Sequence, residues 1–323
     1  MPPILTLTMN PALDVSARVP SVAPDIKLRL ENERHEAGGG GINVARAIHK
    51  LGGQATVLFP AGGDAGRRIV GLLADEGVDC RTLDLSHSTR QSLTVSETTS
   101  TRQYRFVRQG PTLLEAEWQA CIASLATLET APEILVFSGS LPPGVPTDFA
   151  RRVVDEGQRL GSRVILDTSQ AALEQAIGSG AFLVKPNLRE FLQLTGDSDH
   201  TDESLVRSAR RLLPEGSATA LVISLGGGGA LLVTPERALR FASPVVPIRS
   251  RVGAGDSMVA GIALALDRGG TLEDAARFGV ATGAAAVMTP GSELCRREDA
   301  ERLYREVRQQ AATDFAIPGP TDS

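Results

Sequence analysis

An α/β domain organised around a mostly parallel sheet is the fold class this sequence predicts, and three observations predict it. Short β-branched or apolar runs recur between longer segments of helical periodicity, at residues 4–8, 55–59, 134–137, 164–166, 182–184 and 221–224. Those runs are apolar at successive positions, as strands covered on both faces by helices must be. No Pro/Ser/Gly linker divides the chain, so one main domain is expected over residues 1–315.

Each element has a local cause. Residues 4–8, Ile-Leu-Thr-Leu-Thr, open the sheet. Two stretches, 13–35 and 89–108, are mixed polar and β-branched, and within the second, 92–96 and 102–107 alternate as half-exposed strands do. They are expected to form a small antiparallel sheet projecting from the core. An exposed sheet of this kind is an edge liability unless covered, so pairing with a second subunit is expected. An amphipathic helix follows the glycines at 38–41 and ends at Leu51-Gly52. The run 221–224 enters four glycines before 230–233 resumes the apolar pattern, and Gly-Ala-Gly opens a helix expected over 256–266. Two prolines within 316–323 mark a flexible tail.

Composition narrows the function. The 38 acidic and 33 basic side chains give a net charge of −5, and a 42% apolar content is that of a globular chain, which excludes disorder. Its 33 glycines and 19 prolines follow no period, which excludes a collagen-like sequence. No run approaches the roughly 20 apolar residues of a membrane span, and Met1 leads into Pro-Pro-Ile-Leu without a basic region and apolar signal core, so a cytoplasmic protein is expected. Cys80, Cys121 and Cys295 are scattered, without the spacing of a disulfide framework or zinc site. Mild acidity without a basic block argues against nucleic acid and anionic membrane as partners, leaving a small molecule.

Four segments carry chemistry. Glycines at 38–41 just before a helix let backbone N–H groups approach an anion or polyol; a plain tight turn is the competing reading. In Val252-Gly253-Ala254-Gly255-Asp256-Ser257, free N–H groups at a helix start meet a carboxylate able to take a proton from an alcohol, unless Asp256 merely complements the helix dipole. The glycines at 226–229, after Ser224, form either a side-chain-free bed for a nucleotide or a hairpin turn. In Lys185-Pro186-Asn187-Leu188-Arg189-Glu190, Asn187 and Glu190 share a helical face and either hold Mg²⁺ through its waters or form a capping box. Positive charge is dense near the projecting segments, at Lys27, Arg29, Arg34, Arg90, Arg102, Arg105 and Arg108, and a subset converging on the first glycine run would suit a sugar phosphate. Lys27 and Lys185 are two of only three lysines.

In chain order, Thr8-Met9-Asn10-Pro11-Ala12-Leu13-Asp14, the segment 38–43, Ser138-Gly139-Ser140-Leu141-Pro142-Pro143-Gly144, Lys185 to Glu190 and Val252 to Asp256 resemble the PfkB (ribokinase-like) carbohydrate kinases over almost the whole chain. The resemblance implies a ribokinase-like three-layer α/β/α domain with a small β-sheet lid that also makes a homodimer contact. It implies Asp256 as the base, with Gly253, Ala254 and Gly255 as the anion hole. Asp14, Gly39, Gly40 and Asn43 would grip the sugar hydroxyls, and Lys27, Arg90 and Arg105 an existing phosphate. Lys185, Asn187, Ser224, Gly226, Gly227, Gly228 and Gly229 would line the ATP site, with Glu190 acting on Mg²⁺ through water. Ser250, Val252, Ala286, Thr289 and Gly291 align with a region that binds a monovalent cation, K⁺, in several relatives.

Within the family, tagatose-6-phosphate kinases and 1-phosphofructokinases typically carry lysine where this chain has Gly40, and the four-glycine form resembles the branch acting on fructose 6-phosphate. The implied reaction is attack of the C1 hydroxyl of fructose 6-phosphate on the γ-phosphorus of ATP. The alternatives are those other two sugar-phosphate kinases and a non-catalytic sugar-phosphate sensor on the same fold. A nicotinamide-dependent dehydrogenase is disfavoured, because no G-x-G-x-x-G follows residues 4–8. One departure from the family pattern is Arg251, where threonine is usual; it either points away from the anion hole or assists the phosphates.

Overall fold

A computed structural model describes residues 3–100, 102–213 and 219–315. Among these, a ten-stranded sheet runs, edge to edge, through β14 (Thr313–Asp314), β13 (Ala238–Phe241), β12 (Ala230–Val233), β11 (Ala220–Ser224), β10 (Leu183–Val184), β9 (Arg163–Asp167), β8 (Ile134–Ser138), β1 (Ile4–Leu7), β4 (Ala55–Ala61) and β5 (Asp79–Asp84). The pairs from β11 to β5 are parallel, and those from β11 to β14 antiparallel. All six apolar runs of the sequence fall on strands of this sheet. The tail at 316–323 lies outside the described residues.

The successive apolar positions have the expected cause. In β8, Ile134 and Val136 pack into one hydrophobic cluster, while Leu135 and Phe137 pack into another on the opposite face. The first cluster is closed by α1 (Gly40–Lys50), α2 (Gly63–Asp75), α8 (Ala254–Asp267), α9 (Leu272–Val287) and α10 (Arg297–Gln309). The second is closed by α3 (Glu115–Ala126), α4 (Phe149–Arg159), α5 (Gln170–Ala176), α6 (Leu188–Thr195) and α7 (Asp202–Leu212). The result is a three-layer α/β/α sandwich of the ribokinase-like class.

A separate four-stranded sheet runs β3 (Glu31–Gly38), β2 (Ala12–Val19), β6 (Arg90–Glu97) and β7 (Gln103–Val107). It is mixed rather than antiparallel, because its central pair β2 and β6 is parallel in the register Ala12↔Arg90 to Val19↔Glu97. Both strands leave the body at Ala12 and Arg90 and run outward together; β3 and β7 bring the chain back. Cys121 and Cys295 are buried, all three cysteines are free, and burial pushes the Cys121 thiol up to about 12 and Cys295 to about 11, so both are inert packing groups. Among the described residues, no helix is long and apolar enough to cross a membrane.

Candidate active site

The glycines at 38–41 are dictated first by packing. A Cβ on Gly40 would stand 2.5 Å from Ser138 Oγ, and one on Gly41 would stand 2.6 Å from the Leu7 carbonyl oxygen, so α1 starts almost in contact with β1 and β8. The buried Thr6 hydroxyl secures that approach by donating to the Gly41 carbonyl at 2.8 Å. Neither α1 nor α8 has a side-chain N-cap, so both present first-turn N–H groups without side-chain partners. Asn43, in the first turn of α1, joins the two ends: its Nδ2 donates to Asp256 Oδ2 at 2.8 Å. The buried Asn43 Oδ1 has no partner among the described residues and can accept from a ligand hydroxyl.

Helix α8 begins two residues earlier than the sequence pattern predicts, at Ala254, with Gly253 as N-cap in the left-handed conformation at φ 75°. That turn puts Asp256 in a cleft of about 290 Å³ shared with Asp14, Gly39, Asn43, Arg90, Arg105, Arg251 and Gly253. Burial, and then the negative charge of Asp167, pushes the Asp256 carboxyl up to about 7, against the Asn43 hydrogen bond and the Lys185 ammonium. Burial also pushes Asp14 up to about 6, opposed by Arg90 and Arg105. A carboxyl near neutrality, facing a cleft and held by an amide, has the character of a general base.

At the other side of Asp256, the buried Lys185 ammonium lies 3.0 Å from Asp167 Oδ1. Burial alone would depress this lysine, but Asp167, with Glu190 and Asp256 adding, holds it above its ordinary value. Asn187 and Glu190 form the capping box on α6, each side chain accepting the other's backbone N–H at 2.9 Å. This leaves Glu190 Oε1 without a hydrogen bond among the described residues, and one free carboxylate oxygen suits a hydrated Mg²⁺ better than a stripped ion. Ser224 bridges to Asn187, so Lys185, Asn187 and Ser224 gather at the ends of adjacent strands. The glycines at 226–229 do form the turn between β11 and β12, yet a Cβ on Gly226 or Gly227 would meet nothing within 4 Å, so the turn borders open space.

The five residues of the expected cation region lie together beside the α8 turn. Ser250 Oγ donates to the Gly291 carbonyl at 2.8 Å and accepts from Val252 N at 3.1 Å, while Thr289 Oγ1 donates to the Ala286 carbonyl at 2.8 Å. Lys27 is exposed on the segment between β2 and β3 and lines neither this cleft nor the larger one beneath the small sheet. Gly40 lies behind Gly39, against Ser138. Arg251 lines the cleft rather than turning away from it. Sequence reasoning missed Asp167, which raises Asp256 and pairs with Lys185. The available signal was an acid at the carboxyl end of an apolar run, in line with the lysine ending the next one.

The family model described as pfkB family carbohydrate kinase matches residues 6–299. The ATP-dependent 6-phosphofructokinase isozyme 2 of Mycobacterium tuberculosis is 46% identical over 303 residues, 94% of this chain and 89% of that protein. The phosphofructokinase-2 of Escherichia coli in complex with potassium superposes with a TM-score of 0.89 at 42% identity, covering 95% of this chain and 100% of that one. The same enzyme in complex with fructose-6-phosphate gives 0.88 at 40% identity, with the same coverage.

Proposed function

Because the chain belongs to the pfkB family of carbohydrate kinases, we propose that it is an ATP-dependent 6-phosphofructokinase, transferring the γ-phosphoryl group of ATP to the C1 hydroxyl of D-fructose 6-phosphate. The observation that carries this reading is Asp256, raised to about 7, hydrogen-bonded to Asn43 and standing at the uncapped start of α8 in a cleft lined by arginines. In the reaction, Asp256 takes the C1 hydroxyl proton as the oxygen attacks phosphorus in line. The N–H groups of Gly253, Ala254 and Gly255 receive the charge that spreads over the transferring group. Asp14, Asn43 and the backbone at Gly39 orient the sugar, and Arg90 and Arg105 hold its 6-phosphate.

Arg251 enters the cleft next to Gly253 and would add positive charge to the phosphoryl path. Lys185, Asn187, Ser224 and the turn from Gly226, Gly227 and Gly228 to Gly229 form the ATP bed, and Glu190 is the carboxylate that would hold hydrated Mg²⁺ there. Magnesium, when bound with ATP, neutralises phosphate charge. Ser250, Val252, Ala286, Thr289 and Gly291 are the proposed K⁺ site, supported by the potassium complex of the E. coli relative. We also propose a homodimer through the small sheet, supported by bare apolar side chains, Phe106 on β7 at 54% exposure and Ile26 on the segment joining β2 to β3 at 62%. Release of ADP with fructose 6-phosphate, fructose 1-phosphate and tagatose 6-phosphate tests the substrate. The highest kcat/KM is expected with fructose 6-phosphate, and preference for either other sugar overturns that assignment.

A further inference from the structure

A cleft of about 870 Å³ lies between the small sheet and the body, with Asp14, Glu36 and Ser292 in its lining, and a side-chain bond crosses it. Ser292 Oγ, on the segment after Gly291, donates to Glu36 Oε2 on β3 at 2.6 Å, joining positions 256 residues apart. Glu36 is the cross-strand partner of Asp14, so their side chains share one face of the sheet. The other Glu36 oxygen lies 3.8 Å from Arg46, a buried guanidinium fixed to Glu76 by bonds of 2.8 and 2.6 Å and to the Ala37 carbonyl at 2.8 Å. On the body side, Ser292 follows Gly291, whose carbonyl accepts from Ser250 Oγ, and that hydroxyl accepts from Val252 N one residue before the α8 N-cap. A continuous path of bonds therefore runs from the strand beside Asp14 to the turn that aims Asp256.

We propose that Glu36 and Ser292 are positioning residues that latch the small sheet to the anion-hole turn, holding Asp14 over the cleft at the span the sugar must bridge to Asp256. This rests on the kinase reading above. The bond is charge-assisted and Ser292 is buried, so it outweighs an exposed contact. Asp14 is faced by Glu36 from β3, Arg90 from β6, Arg105 from β7, Arg46 from α1 and Asp256 from α8. Of these, Glu36 raises the Asp14 carboxyl and the three arginines lower it.

Steady-state kinetics and thermal melts of three variants test the latch. Wild-type turnover of fructose 6-phosphate comes first, and its absence overturns both the kinase reading and the latch. Ser292→Ala is expected to raise the KM for fructose 6-phosphate about tenfold, with the KM for ATP unchanged and the melting temperature lowered by only about 2 °C. Ser292→Thr, which keeps the hydroxyl, restores it. Glu36→Gln keeps an acceptor for Ser292 but removes the charge facing Asp14, so Asp14 ionises at lower pH and the acidic limb of kcat/KM moves down with it. An active enzyme in which Ser292→Ala leaves the sugar KM unchanged overturns the latch alone. A lowered melting point with all kinetic constants unmoved, or no rescue by threonine, does the same.

Discussion

The two ends of the proposed sugar cleft are built differently. At the α8 end, Asp256 is held by Asn43, while Lys185 is paired with Asp167, and every one of these groups is carried by a helix start or strand end of the body. At the small-sheet end, Arg90 is steadied by the carbonyls of Asn10 and Arg108 at 3.1 Å, while Arg105 is exposed and stands on the strand β7 at the sheet's outer edge. The first end has its charges neutralised within the protein before any ligand arrives; the second keeps positive charge for a ligand to neutralise. Chemistry needs groups that do not reorganise, whereas recognition of a mobile phosphate tolerates a peripheral sheet.

The sharpest break of this contrast is at Asp256. Asp256→Asn keeps a side chain that can accept from Asn43, so both ligands are expected to bind with affinities close to wild type. Its kcat falls by roughly two to four orders of magnitude, the usual effect of removing a general base. Isothermal titration with each ligand beside a coupled ADP assay reads the two quantities separately. Near-normal turnover would remove Asp256 from the chemistry.

A smaller and opposite pattern belongs to the sheet end. Arg90→Ala is expected to raise the KM for the sugar phosphate by roughly 10- to 100-fold with kcat changed little, the loss of one charge-assisted contact. Arg251 sits between the ends, beside Gly253, and sharpens the comparison. If it serves the transferring phosphoryl group as proposed, Arg251→Ala lowers kcat by about tenfold and leaves the sugar KM alone. A rise in that KM without loss of kcat would assign Arg251 to the recognition end instead.

Much of the fold was legible because burial leaves its mark in sequence. The runs at 134–137 and 221–223 are apolar throughout because helices cover both of their faces. β5 was not legible: its Asp-Cys-Arg-Thr-Leu-Asp is an exposed edge strand, held by pairing with β4 rather than by apolar pattern. The parallel pairing of β2 with β6 was equally hidden, since strand direction depends on where two distant segments leave the body. The site shows the same divide. Asp256 and its glycines form a local motif, whereas Asp167 meets Lys185 because Leu166 is registered against Val184 in neighbouring strands and the Lys185 N–H bonds the Leu166 carbonyl. Ser292 and Glu36 meet only through tertiary packing, so spacing in the sequence carried no sign of them.

The smallest expected effect is on stability, and its sign follows from the Asp256 carboxyl. Folding raises this group from its ordinary value of 3.8 to about 7, so between those values the native state holds a proton that the unfolded chain releases. Stability therefore falls as pH rises through that window, and the cost of the buried charge is fully present only above about pH 7. Asparagine carries no such cost. Asp256→Asn should melt about 2–4 °C above wild type near pH 8, a gain discounted for the part of the carboxyl that water reaches. The gap should close toward pH 4, where the native aspartic acid is already neutral. The same titration is expected in the activity of the wild type, whose kcat should fall below about pH 7 as the proposed base is protonated. Asp14, raised to about 6, adds a second acidic limb in kcat/KM, and because the two carboxyls share one cleft the limbs belong to the pair. A melting gap that stays constant from pH 4 to pH 8 would mean that Asp256 is ionised throughout, and the contrast between a chemistry end and a recognition end would then lose its electrostatic basis.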